Sequence, residues 1–350
     1  MSETTIQADG GYYTAENHGP FERHGLGALE LEEGGVIPDC QLAYTTFGEL
    51  SPAKDNAILM LTWYSGTHGI LAQTYIGEGH ALDPSRYFIV VVDQIGSGLS
   101  TSPHHGANSA FPRVRIGDDV RAQQRFLRER FGIEELQLVL GGSMGGQQTY
   151  EWAVRFPDQV RRAAPLAATA RIPDMNAIYV DALCDALTAE PAFAGGEYGS
   201  SEAMAAGLAR HARLIAILGY STEFWAQECW RALEFESADA FLEGFVIPYF
   251  APMDPNDLLC QAWKWQHADV GRNAGGDLAA ALGHIRAKTF VMPIDEDLFF
   301  PLEDCRREQA MVPGSELRVL NSISGHLALF GLEPEFVAQI DRNLGELLAG

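Results

Sequence analysis

The chain is 350 residues long and 47% hydrophobic, which suffices for one large α/β domain or a domain with an insertion and is not the composition of a disordered chain. Its 24 Lys and Arg stand against 47 Asp and Glu, a net charge of −23, which repels nucleic-acid phosphates and anionic lipid headgroups and leaves a small molecule as the expected partner. Five scattered cysteines without C-x-x-C spacing suggest neither a disulfide framework nor a zinc site, and the polar start of the chain and the lack of any long apolar run exclude a leader or membrane span, so a cytoplasmic protein is expected.

In chain order, Ala28–Leu31 and Gln41–Thr46 read as an antiparallel hairpin turning at Glu32-Glu33-Gly34-Gly35. Ala57–Thr62 and Phe88–Asp93 are continuous apolar runs, as strands covered on both faces require. The glycines from Asp93 to Ser100 fit a tight turn, because a nucleotide-binding loop would need a third glycine and an acid in register. His104-His105 reads as a solvated loop. A helix over Arg113–Arg130 leads to a strand at Leu136–Gly141, where the apolar pattern stops in Gly141-Gly142-Ser143-Met144-Gly145-Gly146 and a helix resumes at Gln147. That strand, glycine turn and helix form the sequence signature of a nucleophile elbow, in which Ser143 stands exposed on a cramped bend that only near-absent side chains permit. Arg162–Ala167 is the next strand. From about 171 to 285 strand signals vanish in favour of helical segments at Ile178–Ala189, Ala203–Leu218, Thr222–Phe235 and Leu258–His267. Strands return at Lys288–Met292 and Glu316–Leu320, before a last helix at Pro334–Leu348. The alternation predicts a mostly parallel, doubly wound α/β sheet, formed by residues 1–170 and 286–350 and interrupted by a helical cap at 171–285.

A serine hydroxyl needs an imidazole base, and the imidazole needs a carboxylate to fix its tautomer. Of ten histidines, His326 is the candidate base, since it follows the last strand on a short loop. Asp295 and Asp297 both follow the strand at 288–292; Asp297 is preferred as the acid because Leu298-Phe299-Phe300-Pro301 supplies apolar bulk to bury it, whereas Asp295 suits a turn cap. An oxyanion needs two backbone donors, for which the N–H groups of Met144 and Tyr64 are chosen, with Trp63 and Ser65 as alternatives for the second. Trp63, His68 and Tyr220 are candidate substrate contacts. Of the nine aromatics Trp225, Trp230, Phe235, Phe241, Phe245, Tyr249, Phe250, Trp263 and Trp265, a minority is expected in the pocket. Side chains and backbone meet every catalytic task, so no cofactor or metal is implied.

Phe111-Pro112, Ile116-Gly117-Asp118-Asp119-Val120 with Gln123, the elbow, Glu151-Trp152-Ala153, Phe156-Pro157-Asp158, Asp297 with Phe299-Phe300, and Gly325-His326 together give a pattern that resembles the homoserine O-acetyltransferase-like branch of the α/β-hydrolase superfamily over most of the chain. The resemblance implies an α/β-hydrolase fold, acyl-serine chemistry, a helical lid and a homodimer built through lid helices. It supports Asp297 over Asp295. Where the transferases carry Tyr-Arg-Ser in the lid, this chain has Tyr220-Ser221-Thr222, so an arginine that would clamp an amino-acid carboxylate is missing. Hydrolysis of an ester, thioester or activated amide is therefore expected over acyl-CoA-dependent O-acyl transfer. A non-catalytic receptor would be marked by loss of a triad member, and none is lost.

Overall fold

The computed structural model describes residues 11–350; residues 1–10, part of the expected sheet domain and of the stretch read as carrying no leader, lie outside the described residues. Eight strands form one sheet in the order β1-β2-β4-β3-β5-β6-β7-β8. Their ranges are β1 Glu22–Glu30, β2 Val36–Phe47, β3 Ala57–Leu61, β4 Phe88–Val92, β5 Leu138–Gly142, β6 Arg162–Leu166, β7 Lys288–Val291 and β8 Glu316–Leu317. The β1–β2 hairpin is antiparallel, β2 is antiparallel to β4, and every later pairing is parallel.

The helices are α1 Ala15–His18, α2 His68–Tyr75, α3 Ile116–Phe131, α4 Met144–Arg155, α5 Asp174–Thr188, α6 Ala205–Gly219, α7 Thr222–Ala226, α8 Ala238–Phe241, α9 Ile247–Phe250, α10 Pro255–Gln266, α11 Leu278–Leu282, α12 Leu302–Gln309 and α13 Pro334–Ala349. Central strands are buried on both faces, and alternate residues feed two cores. Leu59, Leu61, Val90 and Val139 join Phe126 and Trp152 beneath α3 and α4, whereas Ile58, Met60, Val91 and Leu140 meet Phe336, Ile340 and Leu344 of α13.

All eight expected strands are present, but several helical expectations need correction. Thr222–Phe235 is not one helix: Glu228 and Glu234 take left-handed conformations (φ 52° and 66°) that break it into α7 and a short 3₁₀ turn at Cys229–Leu233. The helix after the glycine turn begins at Met144 rather than Gln147. His104-His105 is not a solvated loop. His104 is held by Asp257 of α10, with Nδ1 2.6 Å from Oδ2, and stacks on Tyr13, while His105 Nδ1 accepts the Ser102 N–H.

Helices α5 to α10 follow β6 and are tied at their base, where Ile172 N–H donates to Ala268 C=O at 3.0 Å and Val270 N–H to Ala170 C=O at 3.1 Å. Glu308 of α12 accepts the N–H groups of Ala170 and Arg171 at the same point. Beyond it the chain returns to the sheet, for Asn273 donates to Glu151 of α4 at 3.0 Å. Among the described residues, no helix is long and apolar enough to cross a membrane.

Candidate active site

Ser143 sits between β5 and α4 with φ 55° and ψ −125°, a strained conformation for a residue with a side chain. Two glycines make the bend sterically feasible. A Cβ on Gly145 would lie 2.3 Å from the Leu61 carbonyl oxygen, and one on Gly141 would lie 2.7 Å from Gly145 Cα. The Ser143 N–H donates to Leu166 C=O of β6 at 3.0 Å, so the bend is pinned to the neighbouring strand.

The loop after β7 brings in Asp297, and the loop after β8 brings in His326 on a 3₁₀ turn at Gly325–Phe330. Asp297 Oδ1 accepts the N–H groups of Phe299 and Phe300 at 2.7 and 2.9 Å, and Oδ2 lies 2.7 Å from His326 Nδ1. With the carboxylate so held, Nδ1 carries the proton and Nε2 is left with its lone pair. The rings of Phe299 and Phe300 lie 4.7 and 5.6 Å from the imidazole and help to bury the pair. Asp295 is used differently: its Oδ1 caps the N–H groups of Glu296 and Ser322, both at 3.0 Å.

Ser143 and His326 line one cavity of about 360 Å³. Trp63, Tyr64 and Ser65, from the loop after β3, form one wall, and Leu327, Leu329 and Phe330 form another. Tyr220, Phe245, Tyr249, Phe250 and Trp265 close it from the helical stretch between β6 and β7. Of the nine aromatics between 225 and 265 singled out in the sequence, four reach the cavity; Trp225, Trp230 and Phe241 instead cluster with Phe224, and Trp263 stacks on His267. The Tyr64 ring is anchored by its hydroxyl, which donates to Leu258 C=O at 3.1 Å, and burial pushes its pKa up. Tyr249 reaches across to donate to Ser65 C=O at 2.9 Å.

Met144 opens α4, its side chain buried in the core and its N–H next to the serine. Trp63, Tyr64 and Tyr220 face the cavity, but His68 does not line it. His68 starts α2, with its N–H 2.8 Å and its Nδ1 2.6 Å from the two oxygens of the buried Asp93, a structural pairing that keeps the ring buried beside Asp93. Sequence reasoning missed Leu329 and Phe330, although the apolar run directly after the expected base was a usable signal. Gln94 and Gln148, which hold the Thr62 carbonyl from below, gave no signal at all.

Residues 67–331 match the family model described as the alpha/beta hydrolase fold. The chain belongs to the α/β-hydrolase family. Within this family it is 56% identical to an ethyl acetate hydrolase of Pseudomonas veronii over 342 residues, covering 97% of this chain and 98% of that protein. The solved structure of an acetylester hydrolase from Corynebacterium glutamicum is 58% identical and superimposes with a TM-score of 0.96, covering 97% of this chain and 99% of that one. The homoserine O-acetyltransferases are more distant α/β-hydrolase relatives: that of Thermobifida fusca is 32% identical over 330 residues, covering 85% and 86% of the two chains.

Proposed function

We propose that this α/β-hydrolase is a serine esterase that cleaves small uncharged carboxylic esters, acetate esters foremost, through an acyl-Ser143 intermediate. Ser143 Oγ attacks the ester carbonyl while His326 Nε2 takes its proton, and Asp297 stabilises the imidazolium that forms. The oxyanion is received by the N–H groups of Met144 and of the Trp63–Tyr64 loop. His326 then protonates the departing alcohol, draws a proton from the water that attacks the acyl-enzyme, and returns it to Ser143 Oγ as the acid leaves.

The observation that carries this reading is the cavity wall. No Lys, Arg, Asp or Glu is among the described residues lining it, so a zwitterionic acceptor or a phosphate-bearing thioester would leave its charges desolvated and unpaired there. Ser221, which stands where the transferases have arginine, is buried as the N-cap of α7 and donates to Ile323 C=O. The helical insertion serves as the lid over this pocket. A cytoplasmic location and a homodimer through the lid helices belong to the same proposal, and sedimentation of the purified chain tests the dimer.

Ethyl acetate and p-nitrophenyl acetate should be hydrolysed, with the activity abolished in Ser143→Ala, and octanoate esters should be much poorer substrates. Acetyl-CoA with homoserine should yield no O-acetyl product; transfer that outpaces hydrolysis would overturn the assignment.

A further inference from the structure

Two relays of buried side chains end on the loop that faces Ser143. In the first, Lys264 of α10 places Nζ 2.5 Å from Asp119 Oδ2, 2.7 Å from Ile95 C=O and 3.5 Å from Gln94 Oε1. Gln94 Nε2 then bridges two successive carbonyls, Thr62 at 2.8 Å and Trp63 at 3.3 Å. In the second, Trp152 Nε1 donates to Gln123 Oε1 at 2.8 Å, Gln123 Nε2 donates to Gln148 Oε1 at 2.7 Å, and Gln148 Nε2 donates to the same Thr62 carbonyl at 3.1 Å. All of these side chains are buried, and Lys264, Asp119, Gln94, Gln123 and Gln148 have no exposure.

The relays have a fixed direction. An ammonium and an indole N–H are donors only, so each forces the adjoining amide to turn its oxygen towards them and its NH₂ group away. Both relays thus deliver N–H donors to the Thr62 and Trp63 carbonyls. In a trans peptide the C=O and the following N–H point in opposite directions. Carbonyls of residues 62 and 63 drawn to the Gln94 side therefore send the N–H groups of Trp63 and Tyr64 to the other side, side by side, as in an anion-binding nest. Donation to a peptide carbonyl also polarises the N–H of that same peptide.

We infer that Gln94 and Gln148 are positioning residues that hold and polarise the Trp63 and Tyr64 N–H groups as the second arm of the oxyanion hole, with Lys264 and Trp152 setting their orientation. The inference rests on the serine-esterase reading above. Its functional content is selective: the relays act on the tetrahedral species and leave the bound ester alone.

The test uses Gln94→Met and Gln148→Met, which keep the side-chain length and remove the donor, together with the double variant. Each preparation is titrated to completion with a fluorophosphonate, so that rates refer to active sites. Each single variant should lose about 10- to 100-fold in kcat on p-nitrophenyl acetate with KM changed less than about twofold. The Ki of a trifluoromethyl ketone, which forms the tetrahedral adduct, should rise by the factor by which kcat/KM falls. The inference is overturned if the variants merely yield fewer titratable sites at unchanged kcat and Ki, or if KM rises while kcat holds. Should Ser143→Ala still hydrolyse the ester, the esterase reading itself falls and the relays with it. A dead Ser143→Ala beside normal glutamine variants sinks the relays alone.

Discussion

Replacing Asp297 by asparagine isolates what its carboxylate does for His326. Oδ1 accepts two backbone N–H groups and Oδ2 accepts the imidazole N–H. An asparagine cannot place its NH₂ group against the N–H groups of Phe299 and Phe300, since donor would face donor. Its oxygen therefore stays in the loop and its NH₂ group turns to His326 Nδ1, which must then accept, so the proton moves to Nε2. That tautomer cannot take the proton from Ser143. Wrong-tautomer triads in other serine hydrolases lose about 10⁴ in kcat, or about 5 kcal/mol of barrier, and a loss of that order is expected here. Initial rates on p-nitrophenyl acetate give kcat, and thermal denaturation checks that the loop stays folded. Asp295→Asn is the internal control: its amide oxygen can still cap Glu296 and Ser322, so a loss below about tenfold is expected. An Asp297→Asn enzyme within about tenfold of wild type, or one that outperforms Asp295→Asn, would refute the reasoning.

Three further outcomes concern stability. Gly145→Ala should cost about 3 kcal/mol or prevent folding, because its methyl meets the Leu61 carbonyl at 2.3 Å; a urea midpoint equal to wild type would contradict this. Lys264→Met strands the buried Asp119 and should cost about 3–5 kcal/mol, most of it recovered in Lys264→Met/Asp119→Asn, which removes the charge and keeps the oxygen that accepts the Ile95 N–H; a double variant no better than the single one would show that burial of the charge is not the cause. Burial raises the Glu308 pKa from 4.5 to about 7, so the folded protein keeps a proton that the unfolded chain releases, and this stabilisation is full below pH 4.5 and lost as pH rises through 7. Glu308→Gln should remove that loss, making wild type weaken relative to the variant by up to about 3 kcal/mol over the window; parallel stability curves would argue against it.

The parts of the fold that were legible in the sequence are those whose cause is local. Ala-Ile-Leu-Met-Leu and Phe-Ile-Val-Val-Val are short continuous apolar runs of the kind strands covered on both faces require, and the glycines about Ser143 announce a bend whose tightness the 2.3 Å approach at Gly145 explains. The pairing of Asp297 rather than Asp295 with His326 was legible for a similar reason, since Phe299 and Phe300 follow directly in the chain. Where a residue's environment comes from far away, the sequence is silent. His68 is fixed by Asp93 and His104 by Asp257, partners 25 and 153 residues distant. Nothing near Gln94 foretells that Lys264, 170 residues on, determines which way its amide faces. The helix expected through 222–235 failed because Glu228 and Glu234 take left-handed conformations that their side chains disfavour and that no glycine or asparagine at those positions announces.

The chain leaves the sheet after β6 and comes back beside the same point, Arg171 bridging to Asp269 in an antiparallel contact. The stretch between those points can thus change in length without prising the sheet's layers apart, provided that α10 keeps Lys264 against Asp119, since both ends already stand side by side. On this plan substitutions in α6 to α9, which supply Ile215, Tyr249 and Phe250 to the cavity, can reshape the room in which a molecule is received while Ser143 and His326, carried on loops of the sheet, keep their places.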